Sequence, residues 1–405
     1  MRAASDVLFV TRYFWPELIG SAPFTSDMAT WLAQHGHRTT VLSGLPHYPE
    51  TEVFPAYRNG AHRSENIGKV VVERLRSGPP RKPSAVARIA NEAEFLCRGL
   101  GALAARRVPR HPVVLALCPS ILCVALGVAA RQRGGICIAI VHDIQSGLAE
   151  RLGMGGGRLG AVMRAAERMI LNRTDLVVVL SSEMKDQLRS LGVTVPIDVI
   201  PLWVDTDQIR PVERVPGDPI KVLYSGNLGR KQGLGQVVAM AEHLAGCRPD
   251  IEIVLRGNGN QMGELSAEIA QRRLNNVRLT ELRPSEALAS ALAAGDIHLV
   301  PQNPEAAAFA VPSKVFNIMA VGRPFIATAL PGSTLWQLQR RSGAFLCVPP
   351  NEPWSFADAV LRLADDGDLR RELGRRGRAF VEEHYAKPRI LGAFKECLDG
   401  VAAGR

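Results

Sequence analysis

The sequence predicts an α/β protein built from two doubly wound, parallel-sheet domains. Short apolar runs of strand length alternate with segments whose apolar residues recur at helical spacing, and this alternation occurs in two successive series. At 405 residues the chain is also longer than one typical domain. A stretch holding two prolines and a glycine, residues 212–219, separates the two series and is typical of a linker.

The first series opens almost at the beginning of the chain. A helix is predicted from about Phe24 to Gln34, where Gly36 ends it. Strands separated by helices favour a parallel sheet that binds ligands at the carboxyl ends of its strands. The predicted strands are Val7–Val10, Thr39–Leu42, Val70–Val72, Val113–Leu117, Ile136–Val141, Leu176–Leu180 and Val199–Ile200.

One apolar run, Pro112 to Ala130, approaches the length of a membrane span. Pro119 and Ser120 interrupt it, which predicts a buried strand, a turn and a buried helix instead. No signal peptide is recognisable, because the first strand begins at Val7.

The second series begins at Ile220 and ends in an amphipathic helix from Arg389 to Ala402. Its predicted strands are Ile220–Tyr224, Ile251–Leu255, Val277–Leu279, Ile297–Val300, Pro324–Ala327 and Phe345–Val348. We therefore predict an amino-terminal domain over 1–211, a linker over 212–219 and a second domain over 220–385. Residues 386–405 are expected to form a helix that packs back on the first domain, and the two carboxyl edges are expected to face a cleft.

Composition limits the classes of function. A hydrophobic fraction of 46% with 22% charged residues is typical of a globular protein. The net charge of +10 favours polyanions, anionic lipid surfaces or phosphorylated ligands, although an arginine-rich source genome would produce the same bias. Nucleic-acid binding is not expected, because the basic runs lack aromatic platforms. The seven cysteines are scattered without a CxxC pair, as reduced thiols in a cytosolic protein would be.

The stretch from Val222 to Gln236 has the pattern of an anion site. An apolar strand ends at Tyr224, small residues and glycines follow, Arg230 and Lys231 supply positive charge, and a helical pattern begins at Leu234. Glycines let backbone N–H groups approach a ligand, and a helix amino end adds partial positive charge. An ordinary turn with two solvated cations explains the stretch equally well when it is taken alone.

Other motifs typical of nucleotide and metal sites are weak or missing. Gly155 to Gly160 fits GxGxxG, but it follows a helical segment instead of a strand. The chain has no GxxxxGK[ST] motif and no Asp-x-Asp pair, so we expect no P-loop, no bound metal and no cofactor.

An ordered set of motifs extends over nearly the whole chain. In chain order they are Pro16-Glu17-Leu18 with Gly20, Gln34-His35-Gly36-His37, Val141-His142-Asp143, Pro201-Leu202-Trp203-Val204-Asp205, Leu223-Tyr224-Ser225-Gly226-Asn227-Leu228-Gly229 with Lys231-Gln232-Gly233, Arg256-Gly257-Asn258-Gly259, Ala294-Gly295-Asp296-Ile297-His298-Leu299-Val300-Pro301 and Pro312-Ser313-Lys314-Val315-Phe316-Asn317-Ile318-Met319-Ala320. This set resembles the family 4 retaining glycosyltransferases of the GT-B type. It is most similar to the branch that includes the colanic acid biosynthesis fucosyltransferase.

The resemblance implies a metal-independent hexosyl or deoxyhexosyl transferase that works in bacterial exopolysaccharide assembly. Its donor would be a GDP- or UDP-linked sugar, its acceptor a lipid-linked saccharide, and its location the cytoplasm at the inner face of the plasma membrane. The implied site residues are His142, Lys231 and Arg230 for catalysis; Gly20, Gly226, Asn227, Gly229, Pro312, Ser313, Lys314 and Asn317 for the donor; and Glu17, His47 and Asp143 for the acceptor side.

The chain departs from the wider family at two places. Asn227 stands where an arginine is usual, which leaves Arg230 as its substitute, while Lys231 is kept. The two family glutamates are replaced by Phe309 and Asn317, and Glu305 lies nearby but out of register. A nucleotide-sugar epimerase on the same scaffold stays open as an alternative. The missing glutamates also leave open a non-catalytic sugar-nucleotide-binding relative.

Several site residues also have structural interpretations. Ser313 could cap a helix, Asn317 could be a surface amide, and Gly20 could serve a tight turn. A histidine at a strand end, such as His142, is often a satisfied structural group.

A basic amphipathic segment in the first domain suggests reversible binding to an anionic membrane. An equally good interpretation is a surface helix whose apolar side packs on the sheet. Its cations are Arg81, Lys82, Arg88, Arg98, Arg106, Arg107 and Arg110, and its interleaved apolar residues are Val86, Ile89, Ala90, Phe95, Leu96, Leu100 and Leu103.

Overall fold

The chain folds into two compact units. The computed structural model describes residues 5–17, 20–47, 52–60, 62–79, 85–118, 120–144, 158–212, 219–283, 287–303 and 312–403. The first unit comprises Met1–Pro201 together with Leu391–Arg405, and the second comprises Leu202–Ile390. Of the predicted linker, residues 213–218 lie outside the described ranges, as do residues 155–157 of the GxGxxG match.

Over these ranges the sheet of the first unit has eight strands, in the spatial order β3-β4-β2-β1-β5-β6-β7-β8. Every pairing is parallel except that of β3 with β4. The strands are β1 (Asp6–Val10), β2 (Arg38–Ser43), β3 (Ser64–Ile67), β4 (Val70–Arg74), β5 (His111–Cys118), β6 (Arg131–Val141), β7 (Leu176–Val179) and β8 (Ile197–Val199).

Helices cover this sheet, and the apolar strands form the centre of the core. Val7 to Val10 and Val114 to Leu117 are almost completely buried, as is usual for parallel strands covered on both faces. The helices are α1 (Ala22–Gln34), α2 (Ala85–Ala104), α3 (Ile121–Ala130), α4 (Arg158–Leu171) and α5 (Ser182–Ser190). The run from Pro112 to Ala130 forms β5 and α3, as predicted. In the described part of the chain, no helix has both the length and the apolar character needed to cross a bilayer.

The second unit holds a sheet whose described strands are all parallel, in the order β11-β10-β9-β12-β13-β14. These strands are β9 (Lys221–Ser225), β10 (Glu252–Arg256), β11 (Val277–Thr280), β12 (Ile297–Val300), β13 (Phe325–Thr328) and β14 (Leu346–Val348). Its helices are α6 (Gly235–Cys247), α7 (Met262–Gln271), α8 (Leu288–Ala293), α9 (Lys314–Ala320), α10 (Thr334–Ser342), α11 (Pro353–Asp365) and α12 (Gly367–His384). A last helix, α13 (Lys387–Ala403), carries the chain back into the first unit.

Every strand predicted from an apolar run overlaps an observed strand, although the predicted Val199–Ile200 shares only Val199 with β8. The strand missed by sequence analysis is β3. Three of its four residues are polar, and the residues alternate between exposed and half-buried at the sheet edge, so they lack the apolar signature of a buried strand. Glu65 of β3 accepts a hydrogen bond at 2.6 Å from the Nη2 atom of Arg74, whose guanidinium is buried. This ion pair attaches the antiparallel edge strand to the parallel sheet.

Candidate active site

In the second unit, two glycine loops interlock at the carboxyl edge of the sheet. The loop after β9 donates from Gly226 N to Arg256 O at 2.9 Å and from Leu228 N to Asn258 O at 2.9 Å. In return, Gln261 N donates to Leu228 O at 3.0 Å. These backbone hydrogen bonds hold the two loops together.

The interlock requires glycine at both positions of the second loop. A Cβ atom on Gly257 would lie 1.8 Å from Gly226 O, and one on Gly259 would lie 2.2 Å from Leu228 O. Real Cβ atoms do not approach backbone oxygen so closely. The φ angle of Gly226 is +147°, a backbone conformation that side-chain-bearing residues rarely adopt.

Polar and positively charged residues follow the first loop. Gly229 leads into a 3₁₀ turn over Arg230–Gln232, where the side chain of Arg230 is exposed. Its Nη2 atom lies 3.9 Å from Glu264 Oε1, which is a weak surface ion pair. Asn227 is exposed beside it. The side chain of Lys231, the family cation, lies outside the described part of the structure.

Ser313 does not cap the helix that it precedes. It is exposed, has helical backbone angles and makes no side-chain capping bond to α9. By contrast, Ser333 accepts a capping bond at 3.3 Å from Trp336 N at the start of α10. The capping interpretation of Ser313 is therefore wrong, and its hydroxyl is accessible to a ligand. Pro312 and Asn317 are half-buried on either side of it.

The burial of Lys314 is the least expected feature of this group. The residue as a whole is half-buried, but its ammonium nitrogen is fully enclosed and has no hydrogen-bond partner among the described residues. The Nζ atom lies 3.9 Å from the centre of the Tyr224 ring. Burial lowers the pKa of Lys314 to about 7.

Tyr224 is a residue whose part in the site sequence analysis missed. It ends the apolar run of β9, so it looked like a core aromatic, and its ring is indeed fully buried. Its hydroxyl nevertheless donates a hydrogen bond to Asn227 O at 2.6 Å, which holds the glycine loop from below. An aromatic residue with a hydroxyl directly before the small residues was the signal available.

In the first unit, His142 follows β6 at the carboxyl edge of the sheet. It is half-buried, and its ring meets Phe24 of α1 edge-on with a centroid distance of 6.2 Å. Burial lowers the pKa of His142 to about 4, so the imidazole is neutral near pH 7. Asp143, the next residue, is exposed.

Glu17 has a supporting position at the same edge. Only 2% of its surface is exposed, and its carboxylate accepts from Phe14 N and His47 N, each at 3.0 Å. It therefore ties the loop after β1 to the loop after β2. The Nδ1 atom of His47 lies 2.9 Å from Leu45 O, and burial lowers the pKa of this histidine. Gly20 has a φ angle of +70°, in the left-handed region expected for a tight turn.

Each unit thus gathers its own share of the predicted residues. In the second unit, Gly226, Asn227, Gly229 and Arg230 share one loop, and Lys314 lies beneath it. In the first unit, His142 follows β6 while the acceptor-side residues Glu17 and His47 follow β1 and β2. No group of three or more His, Cys, Asp or Glu side chains that could hold a metal occurs among the described residues.

Comparisons with known proteins place this geometry in a family. Residues 20–203 match the model of the Glycosyl transferase 4-like domain, and residues 205–380 match that of Glycosyl transferases group 1. The chain is 30% identical over 353 residues to the "Putative colanic acid biosynthesis glycosyl transferase WcaI" of Escherichia coli (strain K12), covering 83% of this chain and 86% of that protein. The chain belongs to the family 4 glycosyltransferases.

Solved structures show the same GT-B fold for this glycosyltransferase. Sucrose-phosphate synthase from Thermosynechococcus elongatus superposes with a TM-score of 0.78 at 18% identity, covering 99% of this chain and 100% of that one. HepE from Anabaena, in complex with UDP-glucose, superposes with a TM-score of 0.70 at 16% identity, covering 98% and 100%. The resemblance and fold class predicted from the motifs are confirmed, whereas the roles of individual site residues stay predictions.

Proposed function

We propose that this glycosyltransferase moves a sugar from a UDP- or GDP-linked donor to a lipid-linked saccharide during assembly of a bacterial surface polysaccharide. The observation that carries the proposal is the interlocked pair of glycine loops after β9 and β10, with Arg230 exposed beside them. Backbone without side chains and an accessible cation suit a diphosphate. HepE, a structural neighbour, was solved with UDP-glucose, and WcaI is named for colanic acid biosynthesis.

The donor side of the reaction is assigned to the second unit. The bond between the anomeric carbon and the diphosphate oxygen breaks, and negative charge develops on that leaving oxygen. Lys231 and Arg230 would stabilise this charge, and each preorganised donor of this kind contributes about 3–4 kcal/mol. Ser313 and Asn317 would hydrogen-bond the donor, Asn317 through a ribose hydroxyl. No metal is required for this charge stabilisation.

The acceptor side is assigned to the first unit. The acceptor hydroxyl attacks the anomeric carbon on the face that the diphosphate leaves, so the configuration is retained, and its proton passes to the leaving phosphate oxygen. A neutral His142 would accept a hydrogen bond near the transferred sugar. Glu17 would act indirectly, because its carboxylate holds the loop that carries His47.

Acceptor-dependent turnover is the direct test. The purified protein is incubated in EDTA with a panel of UDP- and GDP-sugars, with and without lipid-linked saccharides extracted from bacterial membranes. We expect release of nucleoside diphosphate only when acceptor is present, together with a lipid product heavier by one sugar in mass spectrometry. An altered sugar nucleotide without acceptor would indicate the epimerase, and binding without turnover would indicate the non-catalytic relative.

A further inference from the structure

A buried ammonium, to which no described residue supplies a counter-ion, lies under the glycine loop of the second unit. The Nζ atom of Lys314 has no hydrogen-bond partner among the described residues, and only the face of the Tyr224 ring approaches it as a favourable contact there, at 3.9 Å. Burying an unpaired charge costs several kcal/mol, so such a group either loses its proton or receives an anion. The donor-binding role implied by the resemblance does not explain why this lysine is buried.

The described groups that face Lys314 offer it no negative charge. The Tyr224 hydroxyl of β9 stays neutral, because burial raises its pKa. His298 of β12 is also neutral near pH 7, since its pKa is lowered to about 3, mainly by burial and to a smaller extent by the charges of Arg323 and Arg256. Among the described residues, the groups around Lys314 are therefore cationic or neutral, and no carboxylate faces it.

Gly226 brings the backbone of the glycine loop against this ammonium. A Cβ atom at Gly226 would lie 3.0 Å from Nζ and 3.4 Å from Cε of Lys314. Since glycine has no side chain, Lys314 packs directly against the loop that would hold the diphosphate. Tyr224 holds the backbone of the same loop through its bond to Asn227 O, which keeps the loop in place over Lys314.

We propose that Lys314 is uncharged in the empty enzyme and takes up a proton when the diphosphate of a sugar nucleotide arrives over Gly226, becoming its buried counter-ion. This inference rests on the proposed function, because it needs a nucleoside-diphosphate donor in the second unit. Proton uptake would give the burial of this lysine, which the family motif does not explain, a chemical role. It also couples donor affinity to pH.

The direction in which pH changes donor affinity follows from the charge of Lys314 in the empty and in the bound enzyme. In the empty enzyme the lysine is mostly neutral above pH 7, because its pKa is about 7. The bound diphosphate favours the charged form and raises the pKa. Affinity should therefore be greatest below pH 7 and fall above it, by up to about tenfold per pH unit, until the pKa of the bound state is passed.

Titration calorimetry measures the proton directly. UDP-glucose and GDP-mannose serve as probes, because neither diphosphate titrates near neutral pH. At pH 8 the binding enthalpy is measured in two buffers of different ionisation enthalpy. We expect wild-type protein to take up close to one proton per bound probe. Lys314→Met should take up none and bind at least tenfold more weakly, and Lys314→Arg should take up none while its affinity no longer changes between pH 6.5 and 8.5.

Lys221→Met is the matched control, because Lys221 begins β9 at the end of that strand away from the glycine loop. It should behave as wild type, and thermal unfolding of every variant checks that it is folded. If wild-type protein binds a probe without proton uptake, the inference is overturned and the proposed donor site stands. If wild-type protein binds neither probe, the proposed function fails and the inference fails with it. The wild-type measurement decides between these outcomes even where a variant does not fold.

Discussion

Two serines at helix starts illustrate how one residue type serves different purposes. Ser333 caps α10, whereas Ser313 precedes α9 without capping it. We predict that Ser313→Ala raises the donor KM about 2- to 10-fold with unchanged stability, the size of one lost hydrogen bond. Steady-state kinetics and urea unfolding measure the two effects.

Ser333→Ala provides the matched comparison. It removes a capping bond of 3.3 Å and should lower the free energy of unfolding by about 1 kcal/mol while leaving the donor KM unchanged. The assignment of Ser313 to the donor is wrong if both substitutions lower stability equally and neither changes KM.

Glu17 supports a loop that sequence analysis assigned to the acceptor. Glu17→Ala would leave the buried N–H groups of Phe14 and His47 without their carboxylate. We predict a loss of about 2–4 kcal/mol in the free energy of unfolding, because each unpaired buried donor costs about 1–3 kcal/mol. Glu17→Gln keeps one acceptor oxygen and should lose less. Equal stability of all three proteins in urea would contradict this role.

At the scale of elements, the interlocked glycine loops restrict the allowed residue types most strongly. Gly257→Ala would place a methyl group against Gly226 O and force the loops apart. We predict a loss of at least about 2 kcal/mol in stability, together with loss of sugar-nucleotide binding in calorimetry. Gly246→Ala on α6, where a Cβ meets nothing within 4 Å, should be neutral or stabilising by up to about 1 kcal/mol.

Most elements could be predicted because apolar periodicity reports burial. The strands β1, β5 and β12, which are buried over nearly their whole length, were recognisable for this reason. The edge strand β3 was not, since its pairing depends on β4 and on the ion pair between Glu65 and Arg74.

The candidate site, too, could be predicted only in part. The glycine turn could be found from local pattern, and Ser313 from its place in the ordered set of motifs. The burial of Lys314 under Gly226 could not, because it depends on residues far apart in the chain.

At the scale of the whole molecule, the net charge of +10 raises the question of a membrane surface. Phe95 of α2 is buried in the core, and Leu96 and Leu103 pack against it, so this part of the helix follows the structural interpretation. Ile89 and Leu100 remain exposed at 49% and 41%. Arg106, Arg107 and Arg110 are exposed just after the helix.

Vesicle co-sedimentation tests whether these residues bind anionic lipid. We predict binding to anionic but not neutral vesicles, weakened by salt, since each cation near the surface contributes about 1 kcal/mol. A variant with Arg106, Arg107 and Arg110 changed to Glu should stay in the supernatant. A control variant with the α12 residues Arg371, Arg375 and Arg376 changed to Glu has the same net charge and should still sediment. Equal behaviour of the two variants would exclude a localised membrane site.

The division of the first unit into two chain segments affects how the protein is made. Its last segment begins at Leu391, after the whole second unit, and Leu391, Phe394 and Leu398 of α13 are buried. On the ribosome, the first unit can therefore be completed only after the second unit has been synthesised. A ribosome that stalls just before Leu391 leaves the second unit complete in sequence and the first unit without its closing segment, with apolar surface available to chaperones.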